Sequence, residues 1–179
     1  RLKRIEHESL IKKAIGKNKA KLKIFDATAG SLIDTIIFLK LGHKVVACEQ
    51  SKILIKLLKD AIERAKEEYS FFKNLVLINE DAANVIELHQ DSDIFYFDPM
   101  FNNTKRNIKR SGTLNKISNI LSHEKLEDTS EDIFNYMQTS NYKKIIVKRP
   151  IKSKPLQEKI NYQVKGKAIR FDIYVKNSY

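Results

Sequence analysis

Acidic residues follow each of the first four short apolar segments of this chain, at the points where the strands of a sheet would end. They are Asp26, Glu49, Asp81 (preceded by Glu80) and Asp98. In open parallel sheets, ligands bind outside the carboxyl ends of the strands. Carboxylates at that edge accept hydrogen bonds from hydroxyl and amino groups, so the pattern predicts a ligand-binding edge.

The loop after the first segment, Asp26-Ala27-Thr28-Ala29-Gly30, is built of small residues. It can turn tightly and bring backbone amides close to a ligand at a helix N-terminus. Glu49 follows Gly30 at close to the ~20-residue spacing at which an acid reaches ribose hydroxyls, and Asp81 can accept from an adenine amino group. Each acid has a structural alternative, because Glu49 can favour a helix dipole and Asp81 can cap a helix.

The segment Asp98-Pro99-Met100-Phe101 suits chemistry on a planar aromatic amine. Such an amine is a poor nucleophile, because its lone pair is delocalised into the ring. The carboxylate of Asp98 and the carbonyl of Pro99, whose backbone the ring fixes, can accept its N–H groups, and Phe101 can stack on the base. Asp-Pro is also a common turn pair, but behind three other acidic strand ends it favours catalytic roles for Asp98, Pro99 and Phe101.

Short β-branched runs alternate with helical patterns, which predicts βαβ units and a mostly parallel sheet with helices on both faces. The predicted strands are 22–26, 45–48, 75–78, 94–97, 145–147, 161–165 and 169–175. A turn at 165–167 joins the last two, so the α/β fold is expected to end in an antiparallel hairpin. Residues 102–142 form a polar, basic insertion after the fourth strand, with only weak helical patterns.

Composition excludes several classes of protein. The single cysteine, Cys48, excludes a disulfide framework and indicates a core residue in a reducing compartment. Residues 1–23 are basic and mixed, unlike a signal peptide, and no apolar run approaches the roughly 18–20 residues of a membrane span, so a cytoplasmic location is expected. The four histidines lie near no acid or cysteine at metal-ligand spacing, and no metal is expected.

The formal net charge of +12 fits a polyanionic partner, although a lysine-rich proteome would also produce it. Lys148 and Arg149 follow the fifth strand, and Lys105 and Arg106 open the insertion. All four are predicted to contact nucleic-acid phosphates, the alternative being a solvated lysine-rich surface. Arg170 and Asp172 fit a structural ion pair and a substrate role equally well.

Four motifs in this order resemble the ribosomal RNA small subunit methyltransferase J family. They are Asp26-Ala27-Thr28-Ala29-Gly30, Asp98-Pro99-Met100-Phe101, Val147-Lys148-Arg149-Pro150 and Arg170-Phe171-Asp172-Ile173-Tyr174. The resemblance implies a Rossmann-like class I fold, with 1–179 as a single domain that lacks the family's additional N-terminal region. It implies S-adenosylmethionine as cofactor, 16S rRNA or the small ribosomal subunit as partner, and methylation of the exocyclic N2 of a guanosine.

The resemblance also implies the residues that contact the cofactor. They are Asp26, Gly30, Ile33, Asp34, Glu49, Gln50, Asp81, Ala82 and Asp98. The family's first loop reads Ala-Gly-Leu-Gly-Arg-Asp, whereas 29–34 read Ala-Gly-Ser-Leu-Ile-Asp. Leu32 therefore replaces a glycine and is expected to be strained if its φ is positive. Ile33 and Gln50 each replace an arginine.

Other readings of these residues stay open. An amino-methyltransferase acting on another base or on a protein amide uses a similar Asn/Asp-Pro-Pro-aromatic segment. The altered first loop also suits a non-catalytic RNA-binding homologue. A nucleotide-dependent dehydrogenase is disfavoured, because the chain lacks a full G-x-G-x-x-G motif.

Overall fold

Seven strands form one sheet in the computed structural model, which describes residues 5–16, 20–99, 124, 126 and 128–176. The strands are β1 (Lys23–Asp26), β2 (Lys44–Cys48), β3 (Leu75–Ile78), β4 (Ile94–Phe97), β5 (Lys144–Pro150), β6 (Tyr162–Lys165) and β7 (Ile169–Val175). Their order is β3-β2-β1-β4-β5-β7-β6. The first five strands are parallel, and β7 runs antiparallel to β5 and β6. The predicted mostly parallel sheet with a C-terminal hairpin is confirmed.

Five α-helices connect or cover the strands in the described part of the chain. They are α1 (Ile5–Ile15), α2 (Ile33–Lys40), α3 (Lys52–Ala65), α4 (Ala82–Val85) and α5 (Ser130–Thr139), with 3-10 helices at Ser70–Asn74 and Ile86–His89. The hydroxyl of Ser51 accepts from the amide of Leu54 at 3.0 Å and caps α3. The helix α5 lies within the predicted insertion 102–142, whose residues 102–123 are outside the described part.

Alternate side chains of each strand enter two apolar clusters on opposite faces of the sheet. On one face, Ile24 and Tyr96 pack with side chains of α1, α2 and α3. On the other, Phe25 and Phe97 pack with side chains of α4 and α5. Helices therefore cover both faces, as the sequence predicts, and the fully buried strands explain the continuous apolar runs.

The helix α1 was not predicted from the sequence. Its Ile11, Ala14 and Ile15 are buried in the core. Near its middle, a Cβ added to Gly166 would lie 2.5 Å from Cδ1 of Leu10, so α1 packs closely against the β6–β7 turn. The position of α1 also brings its first turn to the edge of the sheet that carries the predicted site.

The chain reverses its direction across the sheet between β1 and β4. The strands β2 and β3 lie on one side of β1, whereas β4, β5, β7 and β6 lie on the other. Such a switch point leaves a crevice outside the carboxyl ends of the two central strands. Asp26 ends β1 and Asp98 follows β4, so both predicted acids border this crevice.

Candidate active site

The carboxylate of Asp26 organises the loop after β1. Its Oδ1 accepts from the amide of Thr28 at 3.1 Å and its Oδ2 from the hydroxyl of Thr35 at 2.5 Å. Complete burial raises the pKa of Asp26 to about 7, although these two hydrogen bonds oppose the shift. The hydroxyl of Thr28 in turn accepts from the amide of Asp98 at 2.7 Å, which ties the loop to the end of β4.

The backbone of the altered loop is left-handed at two positions. Gly30 has φ +51° and Leu32, at the start of α2, has φ +59°. The expectation that Leu32 is strained is confirmed, since a left-handed conformation costs a residue with a Cβ roughly 1–2 kcal/mol. Its side chain is buried in the core, and this burial offsets the strain. Ile33 is exposed. The loop therefore forms with Leu32 and Ile33 in place of the family's glycine and arginine.

Glu49 joins the end of β2 to the same loop. Its Oε2 accepts from the amide of Gly30 at 3.0 Å and its Oε1 from the amide of Ser51 at 2.9 Å. Burial raises the pKa of Glu49 against these two bonds. The backbone amide of Gln50 also acts to lower the pKa of Glu49. A carboxylate has about four acceptor positions, so its oxygens keep acceptor capacity for the hydroxyls of a ribose.

Three further positions predicted to hold the cofactor lie along the same edge. The carboxylate of Asp81 accepts from the amide of Ala83 at 2.9 Å and caps α4, which is the structural alternative for this residue. Ala82 is buried beside it. The backbone carbonyl of Gln50 accepts from the side-chain amide of Asn79 at 3.2 Å. The ligand contacts of Asp81, Ala82 and Gln50 stay predictions.

The sequence analysis missed Glu124, which lies beside Glu49. Its Oε1 accepts from the amide of Ile53 at 3.1 Å, and its Oε2 accepts from the hydroxyl of Ser51. The negative charge of Glu124 contributes to the raised pKa of Glu49. No local sequence pattern predicts this contact, because Glu124 is more than seventy positions along the chain from its partners.

A lysine joins two carboxylates at the centre of the edge. The Nζ of Lys148 lies 2.9 Å from Oδ2 of Asp34 and 2.8 Å from Oδ2 of Asp98. Asp34 is only 7% exposed and also accepts from Nε2 of His7 at 2.6 Å and from the hydroxyl of Tyr96 at 2.5 Å. These five side chains, which we call the acid–lysine cluster, come from α1, α2, β4, β5 and the end of β4.

The charged groups of the cluster shift one another's pKa values. Burial opposes the positive charge of Lys148, but the carboxylates of Asp98 and Asp34 outweigh it and raise the lysine pKa. Burial likewise acts to raise the pKa of Asp34, yet the contacts with His7 and Lys148 lower it overall. The pKa of Asp98 is raised by burial and by Asp34, against the opposing effect of Lys148.

The structure separates the two basic residues that were predicted together. Lys148 faces the acid–lysine cluster, whereas Arg149 lies on the opposite face of β5, is 7% exposed and donates to the carbonyl of Lys154 at 2.5 Å. This placement differs from the exposed position expected of a phosphate-binding arginine. Arg170 contacts Asp172 at 2.8 Å in a buried ion pair, the structural one of its two readings.

The remaining predicted residues fall into two groups. Pro99 is buried directly after Asp98. Phe101, Lys105 and Arg106 lie outside the described residues, and their roles stay predictions. Within the described residues, no three His, Cys, Asp or Glu side chains are grouped to hold a metal ion, and no helix is long and apolar enough to cross a membrane.

Three comparisons relate the chain to known proteins. A family described as "Putative SAM-dependent methyltransferase" matches residues 1–176. The ribosomal RNA small subunit methyltransferase J of Francisella tularensis subsp. novicida is 34% identical over 172 residues, which cover 93% of this chain and 70% of that protein. The protein of that name from Bdellovibrio bacteriovorus is 28% identical over 169 residues, with 93% and 65% covered. The crystal structure of a SAM-dependent methyltransferase from Neisseria gonorrhoeae matches with a TM-score of 0.65 and 29% identity, over 96% of this chain and 72% of that one.

Proposed function

The chain belongs to the ribosomal RNA small subunit methyltransferase J family, and from this premise we propose that it methylates the exocyclic N2 of a guanosine in 16S rRNA. It is a SAM-dependent methyltransferase with the Rossmann-like class I fold. The names of its relatives support ribosomal RNA of the small subunit as the substrate. The position of Asp98 and Pro99 at the switch point of the sheet is the observation that carries the choice of an amine as acceptor.

The hydrogen-bond acceptors that follow β2 and β3 fit S-adenosylmethionine. Glu49 keeps acceptor capacity for the ribose hydroxyls, and its bond to Gly30 holds the first loop beside it. Asp81, which follows β3, accepts from the adenine amino group in this proposal. Bound S-adenosylmethionine supplies its methyl group as an electrophile, so the acceptor nitrogen must present a lone pair and then lose a proton.

Asp98 and Pro99 prepare that nitrogen. The carboxylate oxygen Oδ2 of Asp98 is occupied by Lys148, whereas Oδ1 has no hydrogen-bond partner among the described residues. Oδ1 and the carbonyl of Pro99 accept the two N–H groups, which localises the lone pair on nitrogen. Because the pKa of Asp98 is raised, its carboxylate can also take the proton that the methylated nitrogen releases. The remaining catalysis is positioning of the two reactants.

Exposed lysines lie along the part of the sheet edge that β5, β6 and β7 form. They are Lys152 and Lys154 after β5, with Lys165 and Lys167 at the β6–β7 turn, and we call this set the lysine rim. Buried arginines fix its backbone, since Arg149 donates to the carbonyl of Lys154 and Arg170 to that of Ile151. The lysine rim is a surface for RNA phosphates next to Asp98.

One experiment tests the substrate and the acceptor atom together. The chain is incubated with methyl-labelled S-adenosylmethionine and small ribosomal subunits that lack the modification, and the digested RNA is analysed by mass spectrometry. We expect label in N2-methylguanosine. Label in another base or in protein would favour the amino-methyltransferase alternatives. Salt-dependent RNA binding with no cofactor binding would favour the non-catalytic homologue.

A further inference from the structure

We propose that Lys148 is a positioning residue for methyl transfer, which holds the carboxylate of Asp98 in its charged form and is itself held in place by Asp34 and His7. The inference rests on the proposed function for the use of Asp98 as the acceptor of the amine protons. Nothing in the motif pattern assigns this role, because the sequence analysis placed Lys148 among the RNA contacts and considered His7 only as a metal ligand.

The register of the sheet brings Lys148 to Asp98. Phe97 pairs with Val147 across the parallel strands β4 and β5, so the next residue of each strand lies at the same level. Because side chains alternate along a strand, Lys148 points to the face that carries α1 and α2, while Val147 packs into the opposite cluster. Its side chain is 19% exposed, against 34% for Asp98, and its Nζ bridges Asp98 and Asp34.

Three protein donors hold the two oxygens of the Asp34 carboxylate. Its Oδ1 takes the His7 bond, and its Oδ2 takes the bonds from Tyr96 and Lys148. These donors come from α1, β4 and β5, so Asp34 is a junction of three elements. We therefore assign Asp34 to the placement of Lys148, and not to direct contact with the cofactor through its carboxylate.

The ammonium matters because the site is otherwise negative. Asp98 faces Asp26 from β1, Asp34 from α2, Tyr96 from β4, His7 from α1 and Lys148 from β5. Like charges at short range favour protonation of one carboxyl group. A protonated Asp98 could not receive the proton of the amine. Lys148 opposes that protonation, and His7 and Tyr96 keep Asp34 ready to bind the same ammonium.

The first test compares Lys148→Met with Lys148→Arg. Loss of the positive charge raises the pKa of Asp98, so a smaller fraction of the enzyme is ionised at a given pH. We expect the acid limb of the kcat profile to move to higher pH by about one unit or more in Lys148→Met, and kcat on that limb to fall about 10-fold for each unit of the shift. Arginine can bridge two carboxylates, so Lys148→Arg should recover most of the rate and the wild-type acid limb.

Lys144→Met is the matched control. Lys144 lies on the same strand and face as Lys148, but its Nζ donates to the carbonyl of Ile15 at 2.7 Å, at the other end of α1. Its loss perturbs the docking of α1 without removing charge from the cluster. We expect its acid limb to match that of the wild type. An unshifted acid limb in Lys148→Met would overturn the inference.

A second measurement does not depend on turnover. The carboxyl carbon of Asp98, followed by NMR during a pH titration, should titrate at higher pH in Lys148→Met than in the wild type and in Lys144→Met. The same midpoint in all three would overturn the inference even if RNA methylation is confirmed. If the wild type methylates no RNA, the proposed function fails, while this titration still decides the role of Lys148.

His7 extends the test to the second contact. His7→Phe removes the donor to Asp34, and we expect a shift of the acid limb in the same direction as in Lys148→Met but smaller. The side-chain amide of glutamine can donate as Nε2 of histidine does, so His7→Gln should restore the profile. Equal profiles for His7→Phe and the wild type would remove His7 from the proposal and leave α1 with a packing role.

Discussion

The sheet edge has an acidic half at β1 and β2 and a basic half at β5, β6 and β7. The two halves differ in charge, in burial and in the partners of their charged groups. Along β1 and β2, the carboxylates of Asp26 and Glu49 are buried and accept from backbone amides of the loops that follow these two strands. Along β5, β6 and β7, the charges of the lysine rim are exposed. Buried and bonded carboxylates have fixed orientations and select a small ligand by geometry. Exposed ammonium groups attract a polyanion at longer range with little geometric demand.

The acid–lysine cluster lies where the two halves meet. Asp98 follows β4, which pairs with β1 of the acidic half and with β5 of the basic half. The amine of the substrate and the methyl group of the cofactor must come together at this boundary. Variants on either side should therefore change the binding of one reactant, and variants at the boundary should change the rate.

The largest effect is expected at the boundary. Asp98→Ala removes the carboxylate that accepts the amine N–H and leaves the ammonium of Lys148 with Asp34 alone. We expect kcat to fall about 10³-fold or more, a larger change than in the affinities for cofactor and RNA. Single-turnover transfer to small subunits measures the rate, and a thermal melt shows that the fold is retained. Wild-type turnover in a folded Asp98→Ala sample would contradict both the assignment of Asp98 and the proposed amine chemistry.

The next effect tests the acidic half. Glu49→Gln replaces one carboxylate oxygen by an amide nitrogen, which cannot accept from a ribose hydroxyl. Hydrogen bonds to a charged group contribute roughly 1.5–3 kcal/mol, so we expect the Kd for S-adenosylmethionine to rise about 10- to 100-fold. Calorimetric titration measures it, with Glu87→Gln on an exposed surface as control. An unchanged Kd would restrict Glu49 to its bonds with Gly30 and Ser51.

A smaller effect is expected in the basic half. The double variant Lys152→Gln with Lys154→Gln should raise KM for the RNA substrate about 10-fold. It should also reduce the slope of log affinity for RNA against log salt concentration by about two. The affinity for S-adenosylmethionine should not change. Lys56→Gln with Lys59→Gln removes the same charge from the exposed face of α3 and serves as the control. Equal losses in the two double variants would mean that RNA responds only to net charge.

The strands were predictable because their signal is local. Each is a run of apolar, mostly β-branched or aromatic residues, and four of the five parallel strands match the predicted bounds within one residue. The fifth, β5, extends through Lys144–Pro150, because antiparallel pairing with β7 continues past the apolar run. The hairpin was likewise marked by its turn at 165–167.

The acid–lysine cluster was only half predictable. Motifs identified Asp34 and Asp98, but Lys148 bonds to an acid 114 positions away and His7 to one 27 positions away. Such contacts depend on strand order and on the docking of α1, which local spacing does not report. One signal was available, because the two-residue period of a strand places Lys148 and Arg149 on opposite faces. They therefore could not both face the RNA.

The smallest predicted effect concerns the buried charge of the acidic half. The pKa of Asp26 is about 7 in the folded protein, above its usual value, because the side chain is buried. From about pH 4 upward, the unfolded chain loses this proton while the folded protein keeps it, so stability falls with rising pH until both states are ionised above pH 7. Between pH 6 and pH 8 the free energy of unfolding should fall by roughly 1 kcal/mol.

Asp26→Asn tests this contribution by removing the titrating group while retaining an oxygen that can accept from the amide of Thr28. Urea unfolding at the two pH values should show a smaller loss of stability in the variant than in the wild type, whereas Lys152→Gln, in the exposed half, should show the same loss as the wild type. An identical pH dependence in Asp26→Asn would mean that Asp26 ionises in the folded protein as it does in the unfolded chain. The burial of this carboxylate would then make no difference to the pH dependence of stability. The two halves of the edge would differ in burial but not in their contribution to the free energy of unfolding.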